Sequence, residues 1–429
     1  MLRMLTYLFA LMGISVLFSS CKSLNDSRLQ SELAPPTWEG FEAAWNSYLA
    51  HIPQSHPYQI QERCKPLLYK PEGTPKGVVL FYHGFTACPM QFTPFAERMQ
   101  ALGYYVIVPL LPGQGRGPTP LQSKMVVRDV KAGERTATPV SFSEYYGRYL
   151  PTEEVVYEAF IQEMNGIVAQ APGRHVVGGL SVGGALTTRT LLLAYQGGYG
   201  ELYDHALAIS PYYGMPGLYL GRKGSENAVQ ALFNALQRPV GDAIYQMQKG
   251  LVTGSESLKV LGNIPVSFGA KCYDSICGDR LPECSQKYKG LEATGGRDAI
   301  CDFKIGNLAA LEEQGKKIRE GFMDLSQNWI RTKHQIVGTE FDGSADSALM
   351  IALGDALRTR APDRGQFCLY APYKGQKIGH VVFDLTEQPF APMPWRKSFI
   401  DQAVAFMDKG EFFASTPGAQ NPNCTVPYE

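Results

Sequence analysis

Three residues in this chain could together do nucleophilic chemistry at a carbonyl carbon. Ser181 stands in "HVVGGLSVGG", between glycines at 179 and 183. A free serine hydroxyl is barely ionised at neutral pH, so it needs a base, and the base needs an orienting carboxylate. When the serine sits on a strand-to-helix elbow, acid and then histidine follow it along the chain. Of the seven histidines, at 51, 56, 83, 175, 205, 334 and 380, only His380 lies beyond the strand ending near Glu340. It stands in "KGQKIGHVVFD". The carboxylate should come at the end of "QIVGTE", in "EFDGSADSAL", where Asp342 directly follows the strand. Asp346 is placed to cap or charge-stabilise the next helix, and Glu340 is a third alternative. The developing oxyanion needs backbone donors. The N–H of Val182 is one, and the N–H of Phe85, in the loop "YHGFTACPMQF" after an earlier strand, is the other. His83 precedes the elbow, and its ring is expected to brace that loop.

The motif alone proves little. With 44 glycines in 429 residues, a G-x-S-x-G match arises by chance in about one shuffled chain in four. The flanking elements decide. "KGVVLFYHG" (76–84), "YYVIVPLLPG" (104–113), "HVVGGLS" and "HALAISPYYG" (205–214) are apolar runs that predict buried strands. "WEGFEAAWNSYLAHI", "TPFAERMQALG" (93–103), residues 152–170 and "VGGALTTRTLLLAYQGG" carry helical spacing. After a break at 215–334, "HQIVGTEFD" and "GQFCLYAPY" predict strands, and "SADSALMIALGDALR" and "WRKSFIDQAVAFMDKG" predict helices. Alternating strands and helices mean a parallel α/β sheet. Ser181 then ends a strand just where a helix begins. Side chains two positions either side would collide, and glycines remove the collision. "PGQGRGP" (112–118) has Pro118 where a dinucleotide fingerprint needs glycine, so it reads as a turn beside the site.

In order, "GVVLFYHGFTACPMQF", "YYVIVPLLPGQGRGPTP", "GGLSVGG", "VGTEFDGSAD" and "IGHVVF" resemble the α/β-hydrolase superfamily, and within it bacterial carboxylesterases and monoacylglycerol-lipase-like enzymes. The resemblance covers roughly 76–214 and 334–408. It implies an α/β-hydrolase fold: a mostly parallel eight-stranded sheet, helices on both faces and a Ser–Asp–His triad of Ser181, Asp342 and His380. It implies no cofactor, and no metal site is expected. The expected substrate is a small-molecule or lipid ester. An amide or peptide hydrolase or an acyltransferase would use the same triad. A catalytically silent surface-binding module is the reading from another class.

The organisation expected is a signal peptide at 1–20, a lipidated Cys21 with a tether to 37, a first core part at 38–214, a cap insertion at 215–334 and a second core part at 335–429. "MLRMLTYLFALMGISVLFSSC" has a basic start, an apolar stretch and two small residues before Cys21, and resembles a bacterial lipoprotein signal. The expected location is the bacterial cell envelope, by default the periplasmic face of an outer membrane, with the lipid as the membrane contact. Eight further cysteines suit disulfides in an exported protein. Cys272, Cys277, Cys284 and Cys301 cluster within the insertion, without the paired C-x2-C spacing or the histidine of a zinc site. The formal net charge is zero, which argues against a nucleic-acid partner. Oligomeric state and disulfide pairing cannot be read from the sequence.

Overall fold

The computed structural model describes residues 35–55, 60, 64–85, 87–115, 150–151, 153–214, 265–267, 302–323, 331–339, 345, 347–370, 394–414 and 423–424. In chain order the strands are β1 (Leu67–Tyr69), β2 (Gly77–Tyr82), β3 (Tyr104–Val108), β4 (Arg174–Leu180), β5 (His205–Ile209), β6 (Pro265–Ser267), β7 (Asp302–Lys304), β8 (Lys333–Thr339), β9 (Gly365–Tyr370) and β10 (Asn423–Cys424). The helices are α1 (Trp38–Ser55), α2 (Thr93–Ala101), α3 (Glu154–Val168), α4 (Val182–Gln196), α5 (Ile305–Met323), α6 (Ser347–Arg360) and α7 (Pro394–Lys409).

Eight strands form one sheet in the order β1-β3-β2-β4-β5-β8-β9-β10. Every pairing is parallel except β1 with β3. Strands covered on both faces read as unbroken apolar runs. The runs are sorted by the two-residue period of a strand. Val78, Leu80 and Tyr82 of β2 enter one core with α1, α3, α4, α5 and α6. Val79 and Phe81 enter the other with α2 and α7. From β2 the chain moves to β3 on one side, and then returns to place β4 on the other. The direction of winding therefore reverses between β2 and β4, and doubly wound sheets bind ligands at the carboxyl ends of such a pair. This order, with the serine turn after β4, is the α/β-hydrolase fold.

Two strands end earlier than their apolar runs. β3 stops at Val108, because Pro109 has no N–H to give to a ladder. β5 stops at Ile209, because Ser210 turns at φ 41°. Between β5 and β8 the described residues form an antiparallel pair, β6 with β7, and α5. Ala310, Leu311 and Ile318 of α5 are buried in the core shared with α4. Its glycines allow the approach. A Cβ at Gly315 would lie 2.5 Å from the Tyr213 carbonyl oxygen, and one at Gly321 would lie 2.7 Å from Leu192.

Two disulfides are present among the described residues: Cys64–Cys88 and Cys368–Cys424. The second ties β10 to β9. Cys21 and the cluster Cys272, Cys277, Cys284 and Cys301 lie outside the described residues.

Candidate active site

Ser181 joins β4 to α4 with φ 59° and ψ −120°, a conformation that costs an L-residue roughly 1–3 kcal/mol. Its neighbours hold it there. The Ser181 N–H donates to the Ile209 carbonyl at 2.9 Å, and its own carbonyl accepts from Ala185 and Tyr212, both at 3.0 Å. The glycines do what the motif predicts. A Cβ at Gly179 would lie 2.2 Å from the Gly183 carbonyl oxygen, and one at Gly183 would lie 2.0 Å from that of Tyr82. Gly178 and Gly184 are needed too. Their Cβ atoms would meet Phe81 at 2.7 Å and the Ile209 oxygen at 2.9 Å.

Val182 takes the first helical position of α4. N–H groups in a first turn have no acceptor within their helix and carry the positive end of its dipole. The loop after β2 closes on the same point: a Cβ at Gly84 would stand 3.7 Å from the Ser181 Cβ. Phe85 follows, packed against the α4-side core. The structure thus brings together Ser181, Val182 and the loop that carries Phe85.

His83 braces this loop. The Leu111 N–H donates to its Nε2 at 3.0 Å, so the ring proton sits on Nδ1, which donates to the Gly84 carbonyl at 2.9 Å. Both ring nitrogens are engaged in tying the loop after β2 to the loop after β3, a structural duty rather than that of a base.

Asp342, Asp346, Glu340 and His380 lie outside the described residues. The strands that precede them are described. β8 runs parallel beside β5 and ends at Thr339, and β9 runs parallel beside β8 and ends at Tyr370. The carboxyl ends of β4, β5, β8 and β9 therefore follow one another along one edge of the sheet.

Sequence reasoning missed three supports of the site. Gln91 is buried, and its Oε1 accepts the Gly84 N–H at 3.0 Å. Nothing distinguishes it from the other residues of "CPMQF". The Tyr212 hydroxyl donates to Glu312 of α5 at 2.7 Å, and Arg319 donates to the Tyr213 carbonyl. Burial, and then the Glu312 charge, push the Tyr212 phenol well above its ordinary range. The hydroxyls of Ser210 and Thr339 are buried at the carboxyl ends of β5 and β8, with no partner among the described residues. Among the described residues no group of three or more His, Cys, Asp or Glu could hold a metal ion.

No protein-family model matches the chain, and no curated protein matches it either. It is similar to several solved structures. One comes from work on LipS and LipT, two metagenome-derived lipolytic enzymes, with 15% identity over 82% of this chain and 100% of that one and a TM-score of 0.43. The monoacylglycerol lipase of Paleococcus ferrophilus shares 14% identity over 80% and 97% of the two chains, with a TM-score of 0.45. A soluble variant of the monoglyceride lipase of Saccharomyces cerevisiae shares 14% over 80% and 91%, with a TM-score of 0.44.

Proposed function

We propose that the chain is a serine hydrolase that cleaves carboxylic esters through an acyl-enzyme. The observation that carries this reading is Ser181 itself, held at positive φ on a glycine-lined turn, with Gly84 of the neighbouring loop closed against it. Such strain persists only where surrounding structure enforces it, and it is concentrated at working sites.

In this reading the Ser181 oxygen attacks the ester carbonyl while His380 takes its proton. The N–H groups of Phe85 and Val182 stabilise the oxyanion. His380 then gives the proton to the departing alcohol, and the acyl group stays on Ser181. Water, deprotonated by His380, attacks the acyl-enzyme and releases the acid. Asp342 orients the imidazole and stabilises its cation. The insertion at 215–334 would supply a cap from its part outside α5, whose Ala310, Leu311 and Ile318 belong to the core shared with α4. Export with a lipid on Cys21 completes the proposal, and two disulfides among the described residues support an oxidising compartment.

The test is labelling with a fluorophosphonate, alongside turnover of a series of p-nitrophenyl esters of increasing acyl length. The wild type should be labelled on Ser181. Ser181→Ala should lose labelling and roughly 10⁴-fold or more of kcat while remaining folded. Near-wild-type turnover in that variant ends the triad reading. An unlabelled, inactive wild type favours the silent binding module.

A further inference from the structure

We propose that the Cys64–Cys88 disulfide is a positioning pair that sets the loop bearing Phe85 against Ser181, so that turnover of the acyl-enzyme depends on it. The inference rests on the hydrolase reading above.

The bridge lies at the site and not at the periphery. Both sulfurs are fully buried, and the Cα atoms are 4.8 Å apart. Cys64 stands just before β1. The antiparallel register pairs Leu67, where β1 starts, with Val108, where β3 ends. Cys64 is therefore at the carboxyl edge of the sheet, although its strand runs the other way. Its Cβ packs on the loop after β3, 3.0 Å from where a Cβ at Gly115 would stand. Its partner, Cys88, follows Phe85 by three residues and is the N-cap of a short 3-10 helix, Pro89–Phe92.

Backbone bonds carry the constraint from Cys88 to the site. The Gln91 N–H donates to the Cys88 carbonyl at 3.0 Å, and the Ala87 N–H donates to the Gly84 carbonyl at 3.1 Å. The Gly84 N–H donates to Gln91 Oε1 at 3.0 Å. Gly84, Ala87, Cys88 and Gln91 are thus linked by hydrogen bonds and fastened by a covalent bond to the segment just before β1. An oxyanion donor acts only if it is fixed before charge develops, and loss of one donor costs about 10²–10³-fold in kcat. Loosening the fastening should cost a fraction of that. It should appear in kcat, because the donor is needed in the transition state more than in the ground state.

The second bridge is the internal comparison. Cys368 and Cys424 are buried in the core with α2 and α7 and hold the far edge strand. Ester kinetics and hydrogen exchange should be measured on Cys64→Ala/Cys88→Ala and on Cys368→Ala/Cys424→Ala. The first variant should lose about 10–100-fold in kcat with KM within about twofold. Its amides from 84 to 91 should exchange faster while β4 and α4 keep their protection. The second variant should keep kcat within about twofold.

If the first variant does not accumulate folded, graded reduction of the folded Cys368→Ala/Cys424→Ala protein replaces it. A dithiol donates two electrons and two protons, leaves thiols at 64 and 88, and itself closes to a cyclic disulfide. Loss of kcat should track the appearance of those two thiols, mapped by mass spectrometry, and reoxidation should restore it.

Unchanged kcat in folded protein lacking the bridge overturns the proposal. So does loss of protection across β2, β4 and β5 together, which would make the bridge a general staple. A wild type without turnover or Ser181 labelling overturns the hydrolase reading instead, and the exchange comparison still judges the bracing.

Discussion

The two ends of β4 and β5 solve the same backbone problem with different residues. At the amino ends, chain reversals with positive φ fall on glycine: Gly103 before β3, Gly173 before β4, and Gly410 against His205. A Cβ at Gly173 would lie 2.4 Å from the Lys76 carbonyl oxygen, and one at Gly410 would lie 2.6 Å from His205 Nε2. At the carboxyl ends of β4 and β5 positive φ falls on Ser181 and Ser210, the two non-glycine residues in that region of backbone space among those described. Glycine adopts it without steric cost, whereas serine does not.

Some polar groups at these ends differ as well. At the amino ends the His175 N–H donates to Asp204 at 2.9 Å, Tyr104 donates to Asp408 at 3.0 Å, and His205 Nδ1 donates to the Met407 carbonyl at 2.9 Å. At the carboxyl ends the hydroxyls of Ser210 and Thr339 are buried without a partner among the described residues. The glycine turns at the amino ends take their backbone angles freely, whereas Ser181 and Ser210 at the carboxyl ends hold angles that serine does not favour.

Three changes should break or sharpen this contrast. The largest effect should come from Gly183→Ala, whose Cβ would sit 2.0 Å from the Tyr82 carbonyl oxygen. Backbone has to move to relieve it. We expect about a 10²-fold loss in kcat/KM, the scale of a 1 Å misplacement, with about 1–3 kcal/mol of lost stability. Kinetics beside chemical denaturation would check it, and an unaffected variant would show that the elbow is looser than its contacts indicate.

The second concerns the amino end. His334, at the start of β8, is buried, and burial lowers its pKa to about 3. Its pKa in the unfolded chain is about 6.5. Between these values the unfolded chain binds a proton that the folded one refuses. Stability should therefore be fully present above pH 6.5 and fall as pH drops towards 3, by up to about 1.4 kcal/mol per pH unit. Denaturation of His334→Gln across that range should show a shallower slope, and an identical slope would remove His334 as the cause. The smallest effect is a gain. Ser210→Gly should raise stability by about 1 kcal/mol by relieving φ 41°. A loss would mean that the serine hydroxyl contributes more than the backbone costs.

The core of this architecture was legible because parallel strands buried on both faces appear as apolar runs, and the helices between them keep their own period. The turn at Ser181 was legible because an elbow needs small residues at fixed distances, and glycines at 179 and 183 supply them. β1 and β10 escaped because three and two residues are too few for a pattern. α5 escaped for a more instructive reason. Gly306, Gly315 and Gly321 suggest a broken segment, yet Gly315 and Gly321 are what lets the helix lie against Tyr213 and Leu192. Ser210 carries no mark of its backbone angle in its identity. Gln91 and the Cys64–Cys88 bridge work through contacts between segments, which local spacing does not encode.

The order of the cysteines has a consequence for how the molecule is made. Cys64 and Cys88 are consecutive cysteines along the chain, and so are Cys368 and Cys424. With Cys21, the cysteine ahead of Cys64, occupied by the lipid proposed for it, a chain oxidised from its amino end as it emerges into an oxidising space would form the first bridge before any later thiol could compete. The last would close only when the carboxyl terminus arrived. Both pairings join neighbours in the order of the cysteines, and if the four at 272–301 pair among themselves, neither requires a wrong disulfide to be broken first. Maturation of these two bridges would then be paced by chain emergence rather than by the minutes to hours of uncatalysed rearrangement.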